Sequence, residues 1–368
     1  MASIRDIAER AGLSPATVSL ALRGLGQLNP ETRARVHEAA KALSYQPHPL
    51  ISKALSLVRQ PVEQRYRETI AFVIEWETET GPLHQKLIFN GAAERAAAMG
   101  YKLEQYIVSG KPSDHRRLSN VLHARGIRGM IIIPRLGSPQ PRLYFDWPKF
   151  AAVEIGHTIS YPRSLHHVDS ADFDKVIEAL HLLKKVGYRR IGMAVEPKQN
   201  NDSHGSFFAA YLLAQLRLPL SQRLPILSPV GPWNEMSFRQ WVEANKPDVL
   251  FIHAQVGALI LQWLKNMKLR VPQDISLFCA NITDGVWSGL KRNYPRIGRS
   301  AVDMVALLIA DSELGISADP RSWEVAGSWV AGKTLSRPID KYISSDGLIS
   351  SALEKPRNFH AGWNHYQP

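Results

Sequence analysis

Apolar residues recur with two different periods along this chain. Between residues 4 and 43 they return every three or four positions, the spacing of an amphipathic helix. From residue 68 onward they gather in short runs separated by longer amphipathic stretches. That alternation predicts parallel strands covered by helices.

The first region predicts three short helices. Ile4, Ile7, Ala8 and Ala11 share one face of a helix over residues 4–11, with Ser3 as N-cap and Asp6 completing a capping-box-like pair. Gly12 ends that helix at a position favouring a left-handed backbone, and Leu13 bridges a tight turn. Ser14 caps a second helix, with Pro15 where a missing N–H does no harm. It runs from Pro15 to about Arg23 and turns Val18, Ala21 and Leu22 inward. Asn29-Pro30 repeats the device for a third helix over residues 30–44, with Val36, Ala39, Ala40 and Leu43 as its buried stripe.

Two helices joined by a short glycine turn form a helix-turn-helix unit. Ala8 permits a close crossing, Gly12 makes the turn, and Val18 locks the second helix onto the first. In such a unit the second helix enters the DNA major groove and its first residues reach base edges. Pro15, Ala16, Thr17, Ser19, Leu20 and Arg23 are the exposed candidates. Thr17 and Ser19 suit phosphates or bases, and Ala16 and Leu20 suit a thymine methyl. Arg5, Arg10, Arg23, Arg33 and Arg35 suit phosphates. The competing reading is a generic three-helix bundle.

Charge weighs against that bundle. The 368 residues carry a formal +12, and residues 1–67 hold ten Lys/Arg against five Asp/Glu. Charge per residue is about three times higher there than in the remainder. The length exceeds one core, and 45% apolar with 21% charged residues is a globular balance. The single cysteine, Cys279, points to a reducing compartment. No secretion signal or membrane-length apolar run is visible, so a cytoplasmic location is expected and no membrane partner.

The second region carries strand-like runs at residues 69–74, 103–108, 129–133, 150–155, 190–195, 249–253 and 275–280. Helical stretches lie at 84–99, 116–125, 171–186, 206–216, 256–267 and 298–310. Some 250 residues of this alternation suggest two α/β lobes, with ligands at the carboxyl ends of strands or between domains.

Residues 3–19, from Ser3-Ile4-Arg5-Asp6-Ile7-Ala8 to Thr17-Val18-Ser19, resemble the DNA-binding signature of the lactose-repressor (LacI/GalR) family. Asn29-Pro30-Glu31-Thr32-Arg33 and Leu43-Ser44-Tyr45-Gln46-Pro47 are similar to its third helix and exit. Three stretches of the large region also resemble it: Leu182–Gly192, Val271–Leu277 and Pro295–Val302. The resemblance spans about residues 3–335 and implies a fold: an N-terminal all-α helix-turn-helix DNA-binding domain plus an α/β two-lobed periplasmic-binding-protein-like (type 1) effector domain.

The implied organisation is a reader at residues 1–46, a hinge helix and linker at 47–67, a two-lobed effector and dimerisation domain at 68–336, and an extension at 337–368, expected as a surface tail. The implied DNA contacts are Ser3, Ile4, Arg5, Ser14, Pro15, Ala16, Thr17, Ser19, Leu20, Arg23, Asn29, Thr32, Tyr45, His48 and Leu55. The hinge departs from the family pattern. His48 replaces the usual asparagine, and Ala54 holds the place of the leucine that wedges into the minor groove. Either Leu55 takes that role with a shifted helix, or the kink is weaker; a plain linker is the alternative.

Implied effector contacts are Glu75, Trp76, Arg135, Asp202, His204, Trp233, Gln255, Asn281 and Trp287. The family's aspartate after the late strand is Asn281, its Asn-Asp pair is Ala254-Gln255, and the arginine expected near residues 201–205 is absent. Trp76, Trp233 and Trp287 are candidates to face a sugar ring, with a core position as the alternative. Glu75, Glu77 and Glu79 border the cleft or form a solvated acidic loop.

No nucleophile elbow, phosphate loop, zinc-protease motif or cysteine cluster occurs, and no cofactor or metal site is expected. His166-His167 are adjacent, so neither a helix nor a strand would aim both at one metal, and Asp172 reads as helix-start charge. The expectation is a homodimeric transcriptional regulator, a repressor rather than an enzyme, binding a palindromic operator under control of a sugar or sugar derivative. The alternatives are a stand-alone sugar-binding protein and an α/β carbohydrate enzyme.

Overall fold

The computed structural model describes residues 4–22, 29–43, 68–75, 83–135, 141–227, 230–282 and 286–344. The chain forms two compact units, Met1–Gln64 and Arg65–Pro368.

In the first unit, α1 (Ile4–Ala11), α2 (Pro15–Leu22) and α3 (Pro30–Ala42) enclose a core of Ile7, Val18 and Val36, filled in by Ala8, Ala11, Ala21, Ala39 and Ala40. Ile4, Leu22 and Leu43 lie half-buried at its rim. Gly12 adopts φ +63, and the Leu13 amide donates to the Ala8 carbonyl at 2.9 Å, closing α1. The Arg35 guanidinium donates to the Ala11 carbonyl at 2.6 Å, so α3 satisfies an oxygen that the end of α1 leaves open. Ser14 Oγ accepts from the Thr17 amide at 3.1 Å, and Asn29 Oδ1 from the Glu31 amide at 3.0 Å, the two N-caps that the sequence predicts. The third helix ends at Ala42, with Leu43 as its C-cap.

The second unit holds two lobes. Lobe 1 has strands β1 (Glu68–Glu75), β2 (Tyr101–Val108), β3 (Gly129–Ile133), β4 (Ala151–Ile155), β5 (His166–Ser170) and β10 (Ser322–Val325). They run in the order β2-β1-β3-β4-β5-β10, and every pairing is parallel. Its helices are α4 (Leu83–Ala98), α5 (Pro112–Ala124) and α11 (Tyr294–Asp311). Lobe 2 has β6 (Ile191–Ala194), β7 (Val249–His253), β8 (Ser276–Ala280), β9 (Gly289–Lys291) and β11 (Ser328–Val330), in the order β11-β9-β8-β7-β6. Only β11 is antiparallel to its neighbour. Around this sheet pack α6 (Asp172–Lys185), α7 (Pro197–Asp202), α8 (Ser206–Leu216), α9 (Glu235–Asn245) and α10 (Ala254–Asn266). The central strands are buried on both faces, which is why they read as continuous apolar runs.

The chain passes between the lobes three times: from β5 to α6, from β9 to α11, and from β10 to β11. Two bonds tie these crossings together. The Ala171 amide donates to the Val325 carbonyl at 3.1 Å, and Arg292 Nε donates to Asp172 Oδ1 at 3.1 Å.

β5 reads His-His-Val-Asp-Ser, too polar for an apolar-run criterion, yet it joins the sheet at the lobe edge. β9, β10 and β11 have three or four residues each, too few to show a period. Helices α7 and α9 likewise lie outside the predicted set. Packing in lobe 2 continues past residue 336, against the expectation of a surface tail from 337. Leu335 and Ile339 are buried in its core, with Tyr342 and Ile343 packed against them. The reason is local: the Arg337 amide donates to Tyr188 Oη at 3.1 Å, and the Ser336 amide to Ser276 Oγ at 3.0 Å. The hinge at 47–67 and residues 345–368 lie outside the described residues. Among the described residues, no helix is long and apolar enough to cross a membrane.

Helices α4 and α11 touch backbone to backbone. A Cβ on Gly91 would stand 2.1 Å from the Pro295 carbonyl oxygen, and one on Gly298 2.0 Å from that of Ile88. Both glycines are required by close approach. Gly298→Ala is expected to destabilise the protein by about 1–3 kcal/mol in urea unfolding, the cost of overpacking. An unchanged midpoint would show that the crossing yields freely.

Candidate functional site

The helix that the sequence assigns to base readout is α2. Ser14 and Thr17 hydroxyls lie 2.8 Å apart, so the cap also orients the side chain of Thr17. Arg5, Ser14, Pro15 and Asn29 are exposed, while Ile4, Thr17, Leu20 and Thr32 are half-buried. Ala16 and Ser19 lie on the same helix. Ser3, Arg23, Tyr45, His48 and Leu55 lie outside the described residues. Thus α2 presents an exposed N-terminus with hydroxyl groups, the arrangement that base-edge readout needs.

In the second unit a cavity of about 90 Å³ lies between the lobes. Its walls are the carboxyl ends of strands: Ile133 closing β3 with Pro134 after it, Ile155 closing β4 with Gly156 after it, Asp169 and Ser170 closing β5, His253 closing β7, and Asn281 after β8. This is where open parallel sheets bind ligands. His84 and Gln85 of α4, Gln199, Asp202 and Ser203 from α7 and its exit, Gln255 of α10, and Arg292, Tyr294 and Ile297 complete the lining.

The polar groups are interlocked. Tyr294 Oη donates to Asn281 Oδ1, and the Asn281 amide approaches His253 Nε2 at 3.3 Å. His253 Nδ1 accepts from the Gln255 amide at 3.3 Å, which caps α10. Asn281 sits at φ +60, a left-handed backbone conformation tolerated better by asparagine than by most residues. His84 stacks on Tyr294 with ring centres 5.6 Å apart. Arg292 makes a forked pair with Asp172.

Electrostatics leaves one positive group. Burial, with the Arg292 charge and His84 beside it, pushes His253 down to about 3, and burial with Arg292 also lowers His84. Both imidazoles are therefore neutral at pH 7. Burial lifts Asp169 to about 6 despite the attraction of Arg292, with Asp172 adding to the rise. Arg292 is the cation, and Asp172 holds it there. Asp169 Oδ1 accepts from the Ser170 amide at 2.7 Å, and buried Gln85 Oε1 has no partner among the described residues.

Of the expected effector residues, Asp202, Gln255 and Asn281 line this cavity. Glu75 and Arg135 do not. Glu75 is 2% exposed at the end of β1, and its Oε2 accepts from the Arg135 amide at 3.3 Å. Trp233 and Trp287 are half-buried and pack against the core of lobe 2 instead. Trp233 lies 5.0 Å from Trp263, and Trp287 covers Gly257, where a Cβ would come within 2.8 Å of the indole. His204 stacks on His157 outside the lining. Trp76, Glu77 and Glu79 lie outside the described residues. His84, Asp169, His253, Arg292 and Tyr294 were not among the sequence candidates. His253 and Asn281 had a usable signal, since they end or follow apolar runs; Arg292 follows a three-residue strand and had none.

Asp172 is the first residue of α6, as helix-start charge predicts, and also the partner of Arg292. His166 and His167 point to opposite sides of β5: one meets Glu313 at 3.1 Å, the other stacks on His157. Among the described residues, no group of three His, Cys, Asp or Glu is arranged to hold a metal ion.

Fold and sites define a helix-turn-helix protein whose second unit is a two-lobed α/β domain of periplasmic-binding-protein type. Residues 3–48 match the model for bacterial regulatory proteins of the lacI family, and residues 180–334 that for a periplasmic binding protein-like domain. The chain thus joins a lacI-type DNA-binding domain to a periplasmic binding protein-like domain, and its relatives are lacI-family transcriptional regulators. It is 25% identical over 291 residues to the transcriptional repressor CytR of Escherichia coli, covering 75% of this chain and 79% of that one. It is 23% identical over 285 residues to the sucrose operon repressor of Streptococcus mutans, covering 75% and 81%. With the regulator AglR of Rhizobium meliloti it shares 26% over 199 residues, 53% of each chain. The Lac repressor dimer bound to operator and the anti-inducer ONPF has the same fold, with a TM-score of 0.51 at 18% identity over 91% of this chain and 99% of that one.

Glu154 adds a pH dependence. It is 3% exposed, and its Oε1 accepts from the Thr158 and Ile159 amides at 2.7 and 3.0 Å. Burial nevertheless pushes it up to about 8. A carboxyl raised in the fold stabilises it below the ordinary carboxylate range, and that contribution is lost as pH rises towards 8. Glu154→Gln keeps the acceptor and removes the titration. It is expected to raise stability by roughly 2–5 kcal/mol at pH 8 relative to wild type, with the gap closing near pH 5. Parallel pH–stability curves would contradict a buried, titrating Glu154.

Proposed function

We propose that this chain is a repressor whose operator affinity is set by a small, hydroxyl-rich, neutral effector bound between the lobes. The observation that carries this reading is the pairing, in one chain, of an exposed reading helix with a polar cavity at the carboxyl ends of two sheets. Relatives named as repressors, one of a sucrose operon, support the class of both partners.

The cavity favours a neutral molecule. Arg292 is already balanced by Asp172, Asp169 and Asp202 add negative charge, and two histidines are held neutral. An acidic ligand would meet no uncompensated cation among the described lining residues. Hydroxyls both donate and accept, so they suit Asn281, Gln255, Gln85 and Asp169 together. The DNA contacts assigned by resemblance, with Leu55 as the wedge, belong to the same proposal. One helix-turn-helix reads a half-site, so a homodimer on a palindromic operator follows. The effector acts only through different affinities for two lobe arrangements. No catalytic role is assigned to the cleft.

Mobility shift on a palindrome upstream of the chain's own gene is expected to show steep loss of affinity with salt. Binding to no palindrome at any salt concentration would refute the regulator reading. A thermal-shift screen of neutral saccharides against their uronic acids is expected to show stabilisation by a neutral compound, by mass action. Asn281→Ala is expected to weaken that response about tenfold, the worth of one buried hydrogen bond, with DNA binding in effector-free buffer unchanged. An undiminished response would place the effector elsewhere.

A further inference from the structure

Three imidazoles form a stack that crosses from one lobe to the other. His157 leaves β4 and His167 lies in β5, both in lobe 1; His204 lies in the turn between α7 and α8 of lobe 2. The His157 ring is 4.2 Å from that of His167 at 20°, and 4.6 Å from that of His204 at 18°. His157 is thus the middle ring. Its neighbour Gly156 lines the cavity on one side, and Ser203, next to His204, lines it on the other. The stack therefore stands at the rim of the cleft. His204 takes φ +53, a conformation that costs a non-glycine residue, just where its ring reaches across.

We propose that the His157–His167–His204 stack is a proton-sensitive latch on lobe closure, holding the rim of the effector cleft shut while its rings are neutral and releasing it when they are protonated. The assignment rests on the reading of the cavity as the effector cleft.

Neutral imidazoles stack favourably, as other aromatic pairs do. Two imidazolium rings at this separation repel, and the middle ring meets a neighbour on each face. Burial lowers the proton affinity of His157 and His167 in the closed arrangement; a hydrogen bond to the Leu165 backbone partly opposes this at His167, and the like charges of neighbouring rings add to the lowering at both. Opening returns His157 and His167 to water and to the ordinary histidine range. The closed form thus binds fewer protons than the open one. Closure is favoured above that range and lost as pH falls through it.

The ionisable groups on the elements meeting at the stack are few. Glu154 on β4 lies opposite His167 in the sheet register and, raised by burial to about 8, is uncharged at neutral pH. On β5, His166 pairs with Glu313 on the far side, and Asp169 lies beside Arg292. Arg163 belongs to the loop before β5; Glu196, Lys198 and Asp202 belong to α7 and its cap; α8 carries no charge. The charges acting on His157 and His167 are those of the other stack rings and of His166. Among the described residues, no carboxylate offsets the repulsion at His157 or His167.

The test uses the full chain with spin labels at two introduced surface cysteines, Ser113→Cys in lobe 1 and Gln262→Cys in lobe 2, since native Cys279 is buried. The interlobe distance is expected to be longer at pH 5.5 than at pH 7.5. In His157→Phe/His204→Phe, which keeps aromatic rings without their protons, it is expected to stay at the closed value throughout, with unchanged near-UV circular dichroism confirming the fold. A wild-type distance that does not move, or a double variant that moves as wild type does, would overturn the latch. The measurement involves no DNA, so failure here leaves the regulator reading standing, and failure to bind operator leaves this result readable.

Discussion

The ion pair between Arg292 and Asp172 is the contact around which the second unit is organised. Asp172 opens α6 at the first crossing between lobes, and Arg292 follows β9 at the second. The third crossing is drawn in by the bond from the Ala171 amide to the Val325 carbonyl. The side chains of Arg292 and Asp172 are only 21% and 12% exposed. A charge this shielded is costly alone and tolerable only with its partner in place. The geometry is forked, which fixes direction as well as distance. Three strands of chain are thereby held at one hinge, and the cavity opens beside it.

That one pair also sets the character of the cleft. A free arginine there would invite anions. Balanced by Asp172, it adds to the burial that keeps His84 and His253 uncharged and partly opposes the burial that raises Asp169. What remains for a ligand is a wall of amides, neutral imidazoles, a phenol and the carboxyl groups of Asp169 and Asp202. The same lobe edge carries the histidine stack, whose rings meet across the rim. Under the proposed reading, hinge on one side and stack on the other would supply a pivot and a contact that distinguishes closed from open, the two-state element that ligand control requires.

Much of this was legible in the sequence, and the boundary is physical. The first unit is short-range: Gly12, Ser14-Pro15 and Asn29-Pro30 act on neighbours a few residues away, so turn and caps follow from local pattern. Six of the seven predicted strands are buried along nearly their whole length and so read as apolar runs, whereas β2, at the sheet edge, mixes half-buried and exposed positions. β5 escaped because it carries His167 to the rim and Asp169 to the cavity, so polar residues interrupt its apolar pattern. The cleft was half legible. Asn281 and Gln255 follow predicted strands, whereas Arg292 arrives from a three-residue strand 120 positions from its partner. Trp233 and Trp287 were expected at a sugar face, but Gly257 leaves a recess that an indole fills. Such a recess exists only in three dimensions.

The central claim is that Arg292 and Asp172 are energetically one unit that holds the crossings of the second unit in register. A double-mutant cycle on unfolding free energy tests it directly, using Asp172→Asn, Arg292→Gln and the pair. Each single change is expected to cost about 3–5 kcal/mol by stranding the other charge, and the double change to cost little more than either alone. Additive losses would mean that the two side chains act independently and that the hinge is held by other contacts.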